Sequence, residues 1–256
     1  MIPRTTIADW RRVANWPLDG QVEQDLVISR ALVEIFNNDY LKNKLAFRGG
    51  TALHKLVFPH PLRYSEDIDL NRLEKGPTKT VIDEVRVALD EMLGQPNKVK
   101  STKNSVKIIY DYKSIDGEIS RLKIEINTRE TLPLKPLLKV LFEVDSAYFQ
   151  GSADIMSFDT EEMIGTKIRA LYQRKKGRDL FDLYELSKLA LNWNNIVENF
   201  QKLNIGASRL DFEKNLDDKM LDSSFLEDMA PLLPNDVIYE PKIAYAWFNK
   251  EILPRM

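Results

Sequence analysis

Asp67 and Asp69 are separated by one aliphatic residue, and their type and spacing suit chemistry better than any other pair in this chain. They alternate with Ile68 and Leu70. On a strand, a period of two sends both carboxylates and Asn71 to one face while the aliphatic residues enter the core. Carboxylates so placed repel one another unless a cation lies between them. Oxygen ligands of this kind suit Mg²⁺ (or Mn²⁺) held together with the phosphates of an NTP. Upstream, Gly49, Gly50 and Thr51 follow the short apolar run Leu45, Ala46 and Phe47. Glycines let the backbone approach a polyphosphate closely, and amides at a helix N-terminus point at an anion. Residues 47–71 therefore read as a metal and triphosphate site, with Gly49, Gly50 and Thr51 against the phosphates and Asp67 and Asp69 on the metal.

The flanking pattern predicts the elements that position these residues. Val22, Leu26, Val27, Ala31, Leu32, Ile35 and Phe36 recur with a helical period. That helix leads into a strand ending at Arg48, a tight turn at Gly49 and Gly50, and a helix opening at Thr51. After the carboxylate strand, Gly76 and Pro77 break the chain, and Thr78 is placed to cap a helix through Val81, Val85 and Leu89. Strands are predicted at residues 105–112 and 119–128, joined by a Ser-, Asp- and Gly-containing turn. In the second strand Ile124 and Ile126 face one way and Lys123, Glu125 and Asn127 the other. Were this strand to adjoin the Asp67–Asp69 strand, Glu125 would be a third carboxylate, the usual completion of a two-metal clamp.

Residues 132–157 read as irregular apart from a strand at 138–144. Thr160 is placed to cap a helix that carries Lys167, Arg169 and Arg174, and a second helix starting near Arg178 carries Asp179, Asp182 and Glu185 at steps of three. These readings predict an α+β fold with a mixed sheet flanked by helices in residues 1–155. A helical domain in residues 156–256 would close the active-site cleft.

The run Gly-Gly-Thr-x-Leu followed by Arg-Tyr-Ser-Glu-Asp-Ile-Asp-Leu resembles the nucleotidyltransferase core of the AbiEii family of bacterial toxins, within the DNA polymerase β-like superfamily. Two further segments are similar to the family's pattern. One is Lys-Ile-Glu-Ile-Asn-x-Arg-Glu at residues 123–130, and the other is Lys-Ile-Arg-Ala-Leu-x-x-Arg-Lys-Lys-Gly-Arg-Asp-Leu-Phe-Asp-Leu at residues 167–183. The resemblance spans about residues 21–192. It implies that Lys167 and a downstream aspartate complete the catalytic site, with Asp182 preferred and Asp179 nearly as good. It also implies NMP transfer from an NTP to an acceptor hydroxyl on RNA, tRNA 3′ ends being the expected target, with an antitoxin as partner and a role in phage defence. Arg169, Arg174 and Arg178 would then contact acceptor phosphates. Lys175 and Lys176 read better as a solvated charge run. The Gly-Gly pair stands where many nucleotidyltransferases have Gly-Ser, so Thr51 would replace a serine contact to phosphate.

Composition narrows the alternatives. Of 256 residues, 43% are hydrophobic and 30% charged, and the formal net charge is −2, so any nucleic-acid binding needs a local basic face. With no cysteine and only His54 and His60, thiolate and histidine-rich metal sites are excluded. Neither a signal-peptide core nor a membrane-length apolar run occurs, which reads as a cytoplasmic protein without membrane contact. Two other functions compete with RNA modification. One is an NTP-binding module without turnover, and the other is an enzyme that nucleotidylates protein hydroxyls. The retained carboxylate pair argues against the first.

Overall fold

The computed structural model describes residues 2–129, 132–203 and 206–256. Glu130, the last residue of the 123–130 run, lies outside them. Two compact units make up the chain, Met1–Phe158 and Asp159–Met256. The fold is α+β, as the order of elements predicted.

The first unit opens with α1 (Arg4–Trp10) and the long α2 (Asp19–Asn37). Next come β1 (Leu45–Arg48), α3 (Gly49–Ala52), which widens into a π-helical turn over Leu53–Val57, and β2 (Asp67–Arg72). The unit continues through α4 (Lys79–Leu93), β3 (Lys98–Ser101), β4 (Ser105–Lys113), β5 (Ile119–Asn127), β6 (Leu138–Asp145) and β7 (Gln150–Ser157). All seven strands form one sheet in the order β3-β4-β5-β2-β1-β7-β6. Within it β1 runs antiparallel to β2, and β2 runs parallel to β5.

Two strands escape the sequence pattern. β3 is an edge strand with every residue exposed, so it has no buried alternation to reveal it. β7 shows only Ala153 and Ile155 as buried apolar residues, and it is held by backbone pairing to β6 and to β1. The sheet buries Leu45, Phe47, Ile68, Leu70, Leu122, Ile124 and Ile126.

Glu23, Gln24, Asp25 and Ser29 of α2 are also buried, where its sequence predicts an amphipathic helix with a wet side. Each has an internal partner. Glu23 accepts from the Ile115 amide at 2.7 Å, and Gln24 donates to the carbonyls of Glu66 and Arg121. Asp25 takes the Trp10 indole at 3.0 Å and the Lys55 ammonium at 2.7 Å. Burying these groups is tolerable because each is satisfied. α2 thus ties the turn after β4, the start of β2 and the π-helical turn into one frame.

The second unit consists of α5 (Thr160–Gln173), α6 (Gly177–Leu186), α7 (Trp193–Lys202), α8 (Arg209–Met220), the short α9 (Ser223–Leu226) and α10 (Pro241–Glu251). Its core includes Phe212, with Tyr172, Phe200 and Phe248 around it. α5 and α7 cross closely at Gly165, where a Cβ would come within 3.0 Å of the Phe200 nitrogen. Lys219, nearly buried on α8, donates to the carbonyls of Leu171 and Tyr172 and so satisfies the C-terminal turn of α5.

Both helix caps expected from threonines differ. The residue before α5 that accepts the first amides is Asp159, bonded to Glu161 and Glu162 at 3.0 and 3.2 Å, so Thr160 is already inside the helix. Thr78 stands at the N-cap of α4 but makes no side-chain capping bond, and its hydroxyl lies 3.3 Å from that of Ser101. Among the described residues, no helix is long and apolar enough to cross a membrane.

Candidate active site

Asp67 and Asp69 lie on β2, half-buried, with Ile68 and Leu70 buried on the other side of the strand. The register on one side pairs Asp69 with Arg48 of β1, and on the other it pairs Asp67 with Lys123 and Asp69 with Glu125 of β5. Glu125 therefore stands beside the aspartates because β5 adjoins β2 in parallel. Asn71 and Asn127 continue the same row.

Thr51, Gly49 and Arg48 flank this row. Thr51 is buried, and its hydroxyl donates to the Asp67 carbonyl at 2.6 Å and lies 2.7 Å from the Ser65 hydroxyl. That hydroxyl braces the start of β2 from the helix after the glycines. Gly49 has φ +83°, and a Cβ there would meet the Asp69 Oδ2 at 2.5 Å. Both facts demand glycine. The helix itself starts at Gly49, so Gly50 belongs to its first turn, not to a turn preceding the helix. Arg48 extends across the face, its Nη1 donating to Asn71 Oδ1 at 3.3 Å and its guanidinium lying over the Phe158 ring.

Ammonium groups answer the carboxylates. Lys123 Nζ is 2.7 Å from Asp67 Oδ2 and 4.0 Å from Glu125 Oε2, and Lys107 Nζ is 3.1 Å from Glu125. Burial pushes the Asp69 carboxyl above its ordinary range, Asp67 and Glu125 push it further, and Lys123 and Arg48 oppose them. Burial would lower the Lys123 ammonium, but its bond to Asp67, with Asp69 and Glu125 near, holds it above the usual lysine value. Among the described residues no set of three or more carboxylates and imidazoles is gathered as an ion site, and Asp67 and Glu125 are drawn to ammoniums instead. Even so, the donor chemistry fits a hard divalent cation. It offers carboxylate oxygens on adjacent strands, one of them destabilised in its charged form, beside a glycine that leaves the approach to Asp69 open.

The second unit carries its own charged cluster. Lys167 of α5 bonds Asp179 at 3.1 Å and Asp182 at 2.8 Å, and all three side chains are at most 5% exposed. Arg174 grips Asp179 with two bonds, at 2.6 and 2.7 Å. Burial alone would raise the Asp179 carboxyl, yet Lys167 and Arg174 overrule it and hold it below the ordinary carboxylate range. Asp182 is the closer partner of Lys167, whereas the Arg174 fork closes on Asp179. The neighbouring cations are also engaged: Lys175 by Asp222, and Lys176 and Arg178 by Asp228 at 3.5 and 3.4 Å. Arg169 lies on α5 with partners of its own.

His54 is buried, its Nδ1 accepting from the Leu62 amide at 3.2 Å with Phe58 against the ring, whereas His60 is exposed. His54 is thus a packing residue and His60 a surface one.

Comparison with known proteins settles the family. The profile of the nucleotidyl transferase AbiEii toxin of type IV toxin–antitoxin systems matches residues 30–248. This chain belongs to the AbiEii nucleotidyltransferase toxin family. Its fold is similar to that of MenT4, a nucleotidyltransferase toxin from Mycobacterium tuberculosis H37Rv, with a TM-score of 0.64 at 16% identity, over 100% of this chain and 91% of that one. An antigenic nucleotidyltransferase-like protein from Paracoccidioides brasiliensis matches with a TM-score of 0.45 at 20% identity, over 76% and 93% of the two chains. No curated protein matches the sequence significantly.

For this AbiEii-family chain, sequence reasoning missed Lys123, Lys107, Arg48 and Ser65 as companions of the carboxylate row. Alternation on β5 already placed Lys123 on the face of Glu125, so its signal was present. Lys107 and Arg48 reach the row only through strand order and register, which no local pattern states.

Proposed function

We propose that this protein is a metal-dependent nucleotidyltransferase that moves NMP from an NTP to an RNA hydroxyl, the tRNA 3′ end being the acceptor, and that it acts in the cytoplasm as the toxin opposed by a cognate antitoxin. The observation that carries the chemistry is the row of Asp67, Asp69 and Glu125 on adjacent strands beside Gly49. Asp67, Asp69 and Glu125 would hold Mg²⁺ or Mn²⁺. When bound, the metal supplies charge neutralisation at the phosphates and a lowered pKa for the attacking hydroxyl.

The chain's own residues do the rest. Gly49 and Gly50 let the backbone approach the triphosphate, and Thr51 keeps Asp67 in place through its carbonyl. Lys167 and Asp182 take part in transfer by their match to the family signature. Asp182 is preferred over Asp179 because it is the closer partner of Lys167, at 2.8 against 3.1 Å. Arg169, Arg174 and Arg178 serve the acceptor. For Arg174 and Arg178 a phosphate contact would be made in exchange for Asp179 and Asp228.

The test is mass spectrometry of total tRNA and of cellular protein after incubation with each NTP and Mg²⁺. Addition of one or more NMP to tRNA is expected. Label found only on protein would make this a protein-nucleotidylating enzyme, and no label anywhere would make it a binding module.

A further inference from the structure

Building on the metal-site reading above, we propose that Lys123 is a resident counter-cation, whose ammonium neutralises Asp67 in the resting protein and must leave that carboxylate before a divalent ion can enter. The Nζ lies 2.7 Å from Asp67 Oδ2 and 4.0 Å from Glu125 Oε2, with Lys107 on the far side of Glu125 at 3.1 Å. The position is built in, since the strand register sets Lys123 directly opposite Asp67. Its side chain is 33% exposed, so the ammonium has water to swing into. A lysine stem is long and flexible and its ammonium is a compact point charge, so the group can hold the carboxylate at rest and still withdraw.

Two cations drawn to one carboxylate oxygen repel each other. Divalent binding to the free protein is therefore weakened by the work of moving the ammonium. A triphosphate arriving with the ion offers the displaced ammonium a new anionic partner. Ion and nucleotide then favour each other's binding by the same factor.

The experiment is a Mn²⁺ titration of the full chain without nucleotide, followed by electron paramagnetic resonance. It compares wild type with Lys123→Met, Lys123→Arg and Asp67→Asn, each checked for folding by circular dichroism. Lys123→Met should bind Mn²⁺ at least about tenfold more tightly than wild type. Lys123→Arg keeps a cation beside Asp67 and should stay close to wild type. Equal or weaker binding by folded Lys123→Met overturns the counter-cation. Mn²⁺ binding undiminished in Asp67→Asn overturns instead the metal-site reading on which it rests. An independent readout needs no variant: the Lys123 ammonium resonance should shift as Mg²⁺ saturates the wild-type protein, and a resonance that stays in place counts against the proposal equally.

Discussion

At the scale of single residues, the carboxylate row and its glycine make the sharpest demands. Asp67→Ala and Asp69→Ala should each cut transfer by at least about two orders of magnitude, the scale for losing one positioned electrostatic group. Both side chains are half-buried on the face of the sheet away from Ile68 and Leu70, so melting temperatures should move little. The same chemistry requires EDTA to stop the reaction and Mg²⁺ or Mn²⁺ to restore it, and full turnover by a metal-free preparation would refute the metal requirement. Gly49→Ala adds two costs together, a left-handed backbone at φ +83° and a Cβ within 2.5 Å of Asp69 Oδ2. The strained backbone alone costs roughly 1–3 kcal/mol. The variant should unfold at lower urea concentration and lose activity even where it folds, because Asp69 is displaced. Gly50→Ala, inside the helix with an ordinary φ, should cost far less stability.

At the scale of elements, the α5–α6 pair encloses Lys167 between two fully buried carboxylates. Removing one partner of a buried ion pair costs about 3–5 kcal/mol because the other charges are left uncompensated. Lys167→Ala should therefore lower the melting temperature markedly as well as kcat. Adding Asp182→Asn should return part of the stability and none of the activity, and a double variant as unstable as the sum of the singles would dismiss this coupling.

The pH dependence follows from the same cluster. The folded pKa of Asp179 lies below its ordinary value of 3.8, so its contribution to stability is fully present above that value and fades as pH falls through the depressed folded value. Asp179→Asn should consequently be less stable than wild type at pH 7, with the gap narrowing below about pH 4. Urea midpoints for both proteins at neutral and acid pH measure this. A gap that widens in acid would contradict the assignment.

At the scale of the whole molecule, a net charge of −2 gives no general attraction to RNA. The basic run at residues 174–178 is moreover paired with Asp179, Asp222 and Asp228. The Lys175–Asp222 pair is the most exposed of these, and such pairs contribute little to stability, so it can open at small cost when a phosphate competes. Asp222→Asn, which frees Lys175, should tighten acceptor binding at low salt and steepen its salt dependence by close to one unit of slope for each additional phosphate neutralised. Filter binding over a salt series reads this directly. An unchanged slope would show that Lys175 and its neighbours belong to a solvated surface, the role their sequence first suggests.

Local alternation and turn chemistry determined much of this protein by themselves. The period of two through Asp67, Ile68, Asp69 and Leu70, and again through Lys123, Glu125 and Asn127, allows only one assignment of faces once the strands form. Gly49 is legible as a position for glycine because few other residues tolerate its backbone, at φ +83°. Only tertiary structure decided which strands became neighbours. β2 adjoins β5 through a parallel pairing across the intervening α4, β3 and β4, and that pairing alone sets Glu125 beside Asp69 and Lys123 beside Asp67. Tertiary packing also decided burial. Glu23, Gln24 and Asp25 of α2 and Lys167, Asp179 and Asp182 of α5 and α6 are residue types of wet surfaces, yet they are enclosed because partners on other elements satisfy them. Sequence shows which groups carry charge and which way they point, but whether such a charge meets water, a counter-ion or a ligand depends on segments that are remote along the chain.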